Sequence, residues 1–178
     1  TQYAPGNPNG YPDKAETDGV IGKATVSWNP SEDIMYYLTW SEGFRPGLLN
    51  RPVGRGNDDY RVPAEVESDE ITNYEFGWKT QNSSGYLDAT AFYIQSSNEI
   101  LPYELEAFPG RSFYQNFGKT TRYGLELAAA YKLNQWGFQG SLTQAKYKFD
   151  EENKKLNSDP KNLPGIPNSQ IFLQVDYS

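Results

Sequence analysis

Alternation between apolar and polar residues recurs along most of this chain, and it constrains the fold more than any other feature. Between residues 122 and 133, one set of alternate positions is apolar throughout, and the set between them is mostly polar or small. Successive side chains of a β-strand point to opposite faces, so this period of two predicts a strand with one apolar face. The segments with this pattern are 20–29, 34–44, 70–80, 86–97, 120–133, 138–149 and 170–177. The sequence therefore predicts an all-β chain of about seven strands, longer than the typical five or six residues.

The connections between these segments alternate in length. Tight turns rich in Asn, Ser, Gly and Pro occupy residues 29–33, 81–85 and 134–137, whereas long loops occupy about 45–69, 98–119 and 150–169. Such strict alternation places every tight turn at one end of an antiparallel meander and every long loop at the other. A soluble β-sandwich usually scatters its loop lengths, whereas membrane barrels have short turns on one side and longer loops on the other. The pattern favours part of a transmembrane β-barrel.

The two faces of the predicted strands fit the same interpretation. Apolar and aromatic side chains on one face are expected to contact lipid, and polar side chains on the other are expected to face a wet lumen. The set predicted to face lipid is Val26, Trp28, Leu38, Trp40, Tyr74, Phe76, Leu125, Leu127 and Tyr131. Aromatic residues near strand ends are also typical of the membrane interface. The alternative is a soluble β-sandwich with one wet face, whose tyrosines recognise carbohydrate.

Composition and charge narrow the function classes. The 178 residues carry a net charge of −7, which disfavours a nucleic-acid partner. The chain has no Cys and no His, so it can form neither a disulfide framework nor a Ser-His-Asp triad. Acidic residues are plentiful, but none are placed in a defined pocket, and Asp150, Glu151 and Glu152 lack the spacing of a calcium loop. The sequence predicts no enzyme activity, no cofactor and no metal site.

Six motifs, in order and with matching spacing, carry a resemblance to a known family. They are "YYLTWSEGFRPGLLN" (36–50), "ESDEITNYEFGWKT" (67–80), "DATAFYIQSSNEI" (88–100), "NFGKTTRYGLELAAAYKL" (116–133), "GFQGSLTQAKYKF" (137–149) and "LPGIPNSQIFLQVDYS" (163–178). Together they resemble the barrel strands of TonB-dependent outer-membrane receptors over roughly residues 20–178.

The resemblance implies a 22-stranded barrel plugged by an amino-terminal domain, in the outer membrane of a Gram-negative bacterium. Such receptors import scarce solutes, such as ferric siderophores, with energy from TonB. The expected partners are outer-membrane lipid, the remainder of the receptor, TonB acting through the plug, and a small-molecule substrate. Seven strands cannot close a barrel, so residues 1–178 are expected to be one barrel segment, with the plug and terminal strands lying elsewhere. A barrel serving as a surface scaffold without transport remains an alternative.

The stretch "EGFRPG" at residues 42–47 is expected to mark where a strand leaves the membrane. Phe44 can anchor at the interface, while Pro46 cannot donate a backbone hydrogen bond to a strand ladder. Glu42 and Arg45 are free to pair at this edge or with a neighbouring strand. The sequence favours this structural role over ligand contact.

The long loops hold the candidate ligand contacts, because the resemblance places selectivity there. The first candidates are Arg45, Arg51, Arg55, Tyr60 and Arg61, and the second are Tyr103, Phe108 and Tyr114. Guanidinium groups bind oxyanions through two aligned donors, which suits an anionic chelate. Aromatic rings stack on sugar or macrocycle faces. The alternatives are a solvated loop in which the arginines pair with neighbouring acidic residues, and aromatic residues that only pack the loops together.

Overall fold

A computed structural model describes residues 17–50, 62–149 and 167–178. In these ranges the chain forms strands β1 (Lys23–Ser31), β2 (Ile34–Arg45), β3 (Leu48–Leu49), β4 (Glu65–Val66), β5 (Asp69–Asn82), β6 (Gly85–Ser97), β7 (Ile100–Glu104), β8 (Ser112–Asn116), β9 (Thr120–Leu133), β10 (Trp136–Phe149) and β11 (Ser169–Tyr177). The seven long strands form one antiparallel sheet in the order β1-β2-β5-β6-β9-β10-β11. No helix in the described ranges is long and apolar enough to cross a membrane.

The seven predicted strands are confirmed, with small shifts at their ends. β1 begins at Lys23 rather than at residue 20, and β5 extends over Asp69–Asn82 rather than 70–80. The remaining strands form two ribbons, β3-β4 and β7-β8, inside segments that the sequence predicts as loops. A sandwich requires a second large sheet packed on the first, and the described residues form one large sheet with two short ribbons.

The tight turns lie together at one end of the sheet, as predicted. In the β5–β6 turn, the Asn82 carboxamide oxygen accepts hydrogen bonds from the backbone N–H of Ser84 at 2.9 Å and of Gly85 at 3.1 Å. Asn134, in the β9–β10 turn, has a φ of 54°, a conformation that asparagine tolerates better than most residues. The end of the sheet opposite these turns is called the rim below.

The strand register brings the apolar positions onto a single face. One row of partners runs Val26, Leu38, Phe76, Ala91 and Leu125 across five strands. If one strand were shifted by one residue, all its side chains would move to the opposite face of the sheet. The unbroken apolar row therefore shows that the register is consistent across these five strands. All nine residues that were predicted to face lipid lie on this face. Val26 is 71% exposed, whereas Trp40 is half-buried because its ring covers Gly22. Contact of this face with lipid remains a prediction.

The opposite face, called the inner face below, is polar. Thr25 and Thr39 share a hydrogen bond of 3.0 Å between their hydroxyl groups. Lys79 Nζ donates to Asp88 at 3.3 Å across the β5–β6 pair. Such pairs suit a surface that remains in contact with water or with polar protein.

The turns step along the sheet by a constant amount. The last pair of the β5–β6 hairpin, Asn82 and Gly85, lies two residues beyond the row that contains Ile34, at the end of the β1–β2 hairpin. The last pair of the β9–β10 hairpin lies two residues beyond the row that contains Gly85. If the turns are level, this stagger of about 6.8 Å over two strand spacings of about 9.6 Å corresponds to a tilt of about 35°. That angle lies within the range of membrane barrels.

Among the described residues, the buried apolar side chains lie within the ribbons, in the loop that precedes β9 and in the part of β10 that is near the rim. They are Val66, Ile100, Phe113, Phe117, Ala145 and Phe149. Phe117 and Phe149 pack together, with Leu101 and Tyr147 against them. This small core fixes the ribbons to the sheet and so positions the candidate site.

Candidate functional site at the rim

The rim brings together residues that are far apart in sequence. Arg45 ends β2 and lies opposite Asp69, the first residue of β5. Ser96, near the end of β6, lies opposite Thr120, the first residue of β9. The ribbons β3-β4 and β7-β8 extend beyond these strand ends, so side chains from four segments meet here.

Arg45 forms an ion pair with Asp69 at the centre of the rim. Arg45 Nε donates to Asp69 Oδ2 at 3.0 Å, and Nη2 contacts the same oxygen. The Asp69 side chain is 1% exposed, whereas that of Arg45 is 52% exposed. A carboxylate this deeply buried needs a charged partner, because burial of an unpaired charge is costly. Pairing with a neighbouring strand is one of the two arrangements that the sequence predicted for Arg45.

Glu42 is engaged separately from Arg45. Its Oε2 accepts a hydrogen bond of 3.2 Å from the backbone N–H of Gly22, just before β1. Both charged residues of "EGFRPG" therefore join neighbouring parts of the sheet. Contact between Arg45 and a ligand remains a prediction, and any such contact would use the exposed part of the guanidinium.

Glu99 and Arg122 form a second ion pair, which the sequence analysis missed. The Glu99 carboxylate accepts hydrogen bonds from Arg122 Nη2 and from the Thr120 hydroxyl. The Glu99 side chain is 8% exposed. Glu99 follows β6 in a polar stretch, and its partners lie more than 20 positions further along the chain. No local pattern reveals such a contact.

The β7-β8 ribbon carries most of the predicted aromatic candidates. Phe113 is buried, with the Tyr103 ring centroid 6.0 Å away and the Phe108 ring centroid 6.2 Å away. The Arg111 guanidinium lies over the Phe113 ring, 5.0 Å from its centroid. Desolvation by burial raises the pKa of Tyr103 above its ordinary value. Tyr103 and Phe108 therefore belong to a packed cluster around Phe113.

Tyr114 lies on the other face of this ribbon. It is opposite Pro102, one position away from the Tyr103–Phe113 pair, and its side chain is exposed. The three aromatic candidates thus do not form a single platform. Ligand contact by Tyr103, Phe108 or Tyr114 remains a prediction.

Several predicted residues lie outside the described ranges. These residues are Arg51, Arg55, Tyr60 and Arg61, together with Asp150, Glu151 and Glu152.

A cavity of about 410 Å³ lies at the rim beside both ion pairs, and its lining mixes charged side chains with the apolar side chains of Phe44 and Ile71. Its lining includes Arg45, Asp69, Asn73, Glu99 and Arg122. Both guanidinium groups are already neutralised by carboxylates, so this cavity has no excess positive charge with which to attract an anion. Within the described residues, no group of three or more His, Cys, Asp or Glu side chains is arranged to hold a metal ion. The arrangement suits polar recognition and loop positioning.

Comparison with known proteins gives a family match across the chain. The model of the family described as "TonB dependent receptor-like, beta-barrel" matches residues 1–178. The pesticin receptor of Yersinia enterocolitica (serotype O:8 / biotype 1B) is 26% identical over 151 residues, which cover 83% of this chain and 21% of that protein. The pesticin receptor of Yersinia pestis has the same identity and coverage. The chain spans about one-fifth of the length of these relatives.

Solved structures show the same fold. The ferric yersiniabactin uptake receptor FyuA from Yersinia pestis superposes with a TM-score of 0.68 at 18% identity, covering 88% of this chain and 22% of that one. The ferric-catecholate import receptor Fiu from E. coli K12 gives a TM-score of 0.64 at 22% identity, covering 87% and 22%. The copper transporter OprC gives 0.63 at 19% identity, covering 89% and 24%.

Proposed function

The chain belongs to the TonB-dependent receptor β-barrel family, and from that membership we propose that it forms part of the wall of an outer-membrane transporter. The transporter takes up a large, scarce solute, such as a ferric siderophore, with energy supplied by TonB. The family match over residues 1–178 is the observation that carries this proposal. A sheet with one continuous apolar face and one polar face is consistent with it.

The proposal assigns a partner to each face and edge. The apolar face contacts lipid in the outer membrane of a Gram-negative bacterium, and the inner face lines the lumen. The free edges of β1 and β11 pair with other barrel strands of the same receptor, because unpaired backbone groups are costly in lipid. A plug domain elsewhere in the receptor supplies the contact with TonB.

A ferric chelate is the favoured class of substrate. FyuA is named as a ferric yersiniabactin uptake receptor and Fiu as a ferric-catecholate import receptor. OprC is a copper transporter with a similar fold, so the barrel alone does not determine the cargo. The loop arginines Arg51, Arg55 and Arg61 favour an anionic ligand, because guanidinium groups bind oxyanions with two aligned donors.

Uptake of radioactive iron by the producing bacterium tests this function. The probe is the siderophore fraction of that strain's own iron-limited culture medium, loaded with ⁵⁵Fe. Deletion of the gene for the whole receptor is expected to abolish one component of uptake, and a protonophore is expected to abolish the same component in the parent strain. Complementation with the intact gene is the control. Uptake that is unchanged by deletion, or that resists the protonophore, would contradict energy-coupled transport.

Replacement of the loop arginines tests the assignment of the ligand. Arg51, Arg55 and Arg61 are changed together to Gln in the full receptor, and uptake of the same ⁵⁵Fe probe is measured at low and high salt. We expect weaker uptake at low salt and a smaller deficit at high salt, because ions screen attraction to an anion. Unchanged uptake by a normally assembled receptor would return these arginines to the solvated-loop interpretation.

A further inference from the structure

The segments beyond the rim are held together by side chains that act as strand partners. A residue in a β-strand presents its N–H and C=O to the same side, where a neighbouring strand normally bonds both. Side chains bond both groups instead at Ile100 in β7 and Tyr114 in β8, and also at Glu67, which follows β4. For Ile100, the partners are Asp69, which accepts at 3.3 Å, and Arg45, which donates at 2.8 Å.

Asn50 bonds both backbone groups of Tyr114, which is 64 positions away. Its carboxamide oxygen accepts from the Tyr114 N–H at 2.8 Å, and its Nδ2 donates to the Tyr114 carbonyl at 2.7 Å. The same Nδ2 donates to the Pro63 carbonyl at 2.7 Å. Asn50 is buried, so these hydrogen bonds compete little with water. One neutral side chain thus joins the loop after β2 to strand β8.

Asn116 makes the reciprocal connection. Its carboxamide oxygen accepts from the Glu67 N–H at 2.9 Å, and its Nδ2 donates to the Glu67 carbonyl at 2.9 Å. Nδ2 also donates to the carbonyl of Asn98 at 2.8 Å. Asn98 has a φ of 55° at the base of the β7-β8 ribbon. Each of the two loops therefore contributes one asparagine that bonds the backbone of the other.

The β7-β8 ribbon depends on these connections for its position. It is a two-stranded sheet separate from the seven-stranded sheet. Two-stranded ribbons are marginally stable alone, so the contacts of Asn50 and Asn116 help to fix where the ribbon lies. They act together with the bonds of Ile100 to Asp69 and Arg45 and with the core around Phe117.

We infer that Asn50 and Asn116 are positioning residues that join residues 46–50 and 62–68 to residues 98–119 as one preformed wall for ligand recognition. Residues 98–119 carry the aromatic cluster of this wall. The inference rests on the proposed function only for what the wall recognises. A preformed wall can bind ligand in its existing conformation. No loop has to become ordered when the ligand binds, so less conformational entropy is lost.

Hydrogen exchange in the full-length receptor in detergent micelles tests the wall without any ligand. The amide of Tyr114 is expected to exchange at least about a hundredfold more slowly than in an unstructured chain, since its partner Asn50 is buried. The amide of Glu67 is expected to be protected less strongly, since its hydrogen bond to Asn116 is exposed. If these amides in the wild-type receptor exchange at the rate of an unstructured chain, the inference is overturned. This test needs no variant.

Asn50→Asp and Asn116→Asp provide matched variants. Aspartate keeps the acceptor oxygen and the shape of asparagine, but it replaces two donated hydrogen bonds with lone pairs that face carbonyl groups. Exchange across residues 98–119 should accelerate about tenfold or more, while β9 keeps its wild-type rate. Asn134→Asp, which makes the same charge change in a turn at the opposite end, should alter neither region. Unchanged exchange at 98–119, or equal acceleration in β9, would overturn the positioning role.

Uptake kinetics with the ⁵⁵Fe-loaded siderophore fraction test the link to recognition. The two variants should raise KM about fivefold or more and leave the maximal rate within about twofold, because the wall affects binding rather than energy coupling. Accelerated exchange with an unchanged KM would overturn the role in recognition. If the wild-type receptor imports none of the probe, the proposed function fails, and the exchange experiment alone decides whether the two loops form one unit.

Discussion

At the scale of single residues, side chains on the inner face fill the space left by glycine. The ring of Tyr37 lies across Gly77, so that a Cβ atom at position 77 would meet the ring at 2.0 Å. The hydroxyl groups of Tyr37 and Thr90 then share a hydrogen bond of 3.0 Å. An aromatic side chain on one strand thus covers the glycine of the next and reaches the strand beyond.

Gly77→Ala tests this arrangement, with Gly43→Ala as a matched control on the same face. The new methyl group must displace the Tyr37 ring and break its bond to Thr90, so we expect a loss of about 1–3 kcal/mol in the free energy of unfolding. Gly43 has no atom within 4 Å of the added Cβ, so its replacement should be neutral or slightly stabilising. Urea unfolding of the refolded receptor in micelles measures both changes. Equal effects of the two substitutions would contradict the packing of Tyr37 on Gly77.

The contacts at the rim could not be predicted from individual residues alone. The sequence predicts that Arg45 lies at the end of a strand, and it leaves open pairing with a neighbouring strand. It does not identify Asp69 as the partner or Glu99 as a second buried carboxylate. Both contacts depend on the register between strands and on a short ribbon.

At the scale of elements, the period of two was sufficient to predict the seven long strands. Each has an apolar face and a polar face over most of its length, so the alternation is visible in the sequence, although it weakens in β10 after Leu142. The β7-β8 ribbon was missed because it is short and its first strand contains Pro102. Its position depends on packing around Phe113, on the contacts of Asn50 and Asn116, and on the bonds of Ile100 to Asp69 and Arg45, and these hydrogen bonds join residues more than 10 positions apart.

At the end of the sheet opposite the rim, the residue types in the turns explain why the predicted turns agree with the structure. The sequence places Asn, Ser and Gly together at 81–85, and the structure uses Asn82 as the acceptor for two turn N–H groups. The constant two-residue step between hairpins was not predicted. It depends on the register between strands that are joined by long loops, and the residues of the tight turns do not specify that register.

At the scale of the whole molecule, the central claim is that the seven-stranded sheet is a piece of barrel wall with lipid on one side. In the described residues the apolar face has no protein layer over it, and large side chains such as Val26 and Leu173 are mostly exposed. An exposed apolar patch of this extent needs a partner in a working protein. The family match identifies the architecture, and the contact with lipid is what the proposal adds.

Spin labels at Leu127 and Glu126 of the reconstituted full receptor test this claim most directly. The residues are adjacent in β9: Leu127 lies opposite Ala89 and Leu142 on the apolar face, and Glu126 lies opposite Thr90 and Thr143 on the inner face. The account predicts that the label at Leu127 collides preferentially with oxygen dissolved in the bilayer and that the label at Glu126 collides with a water-soluble relaxing agent. The same environment at both positions would contradict the assignment of this sheet to a barrel wall.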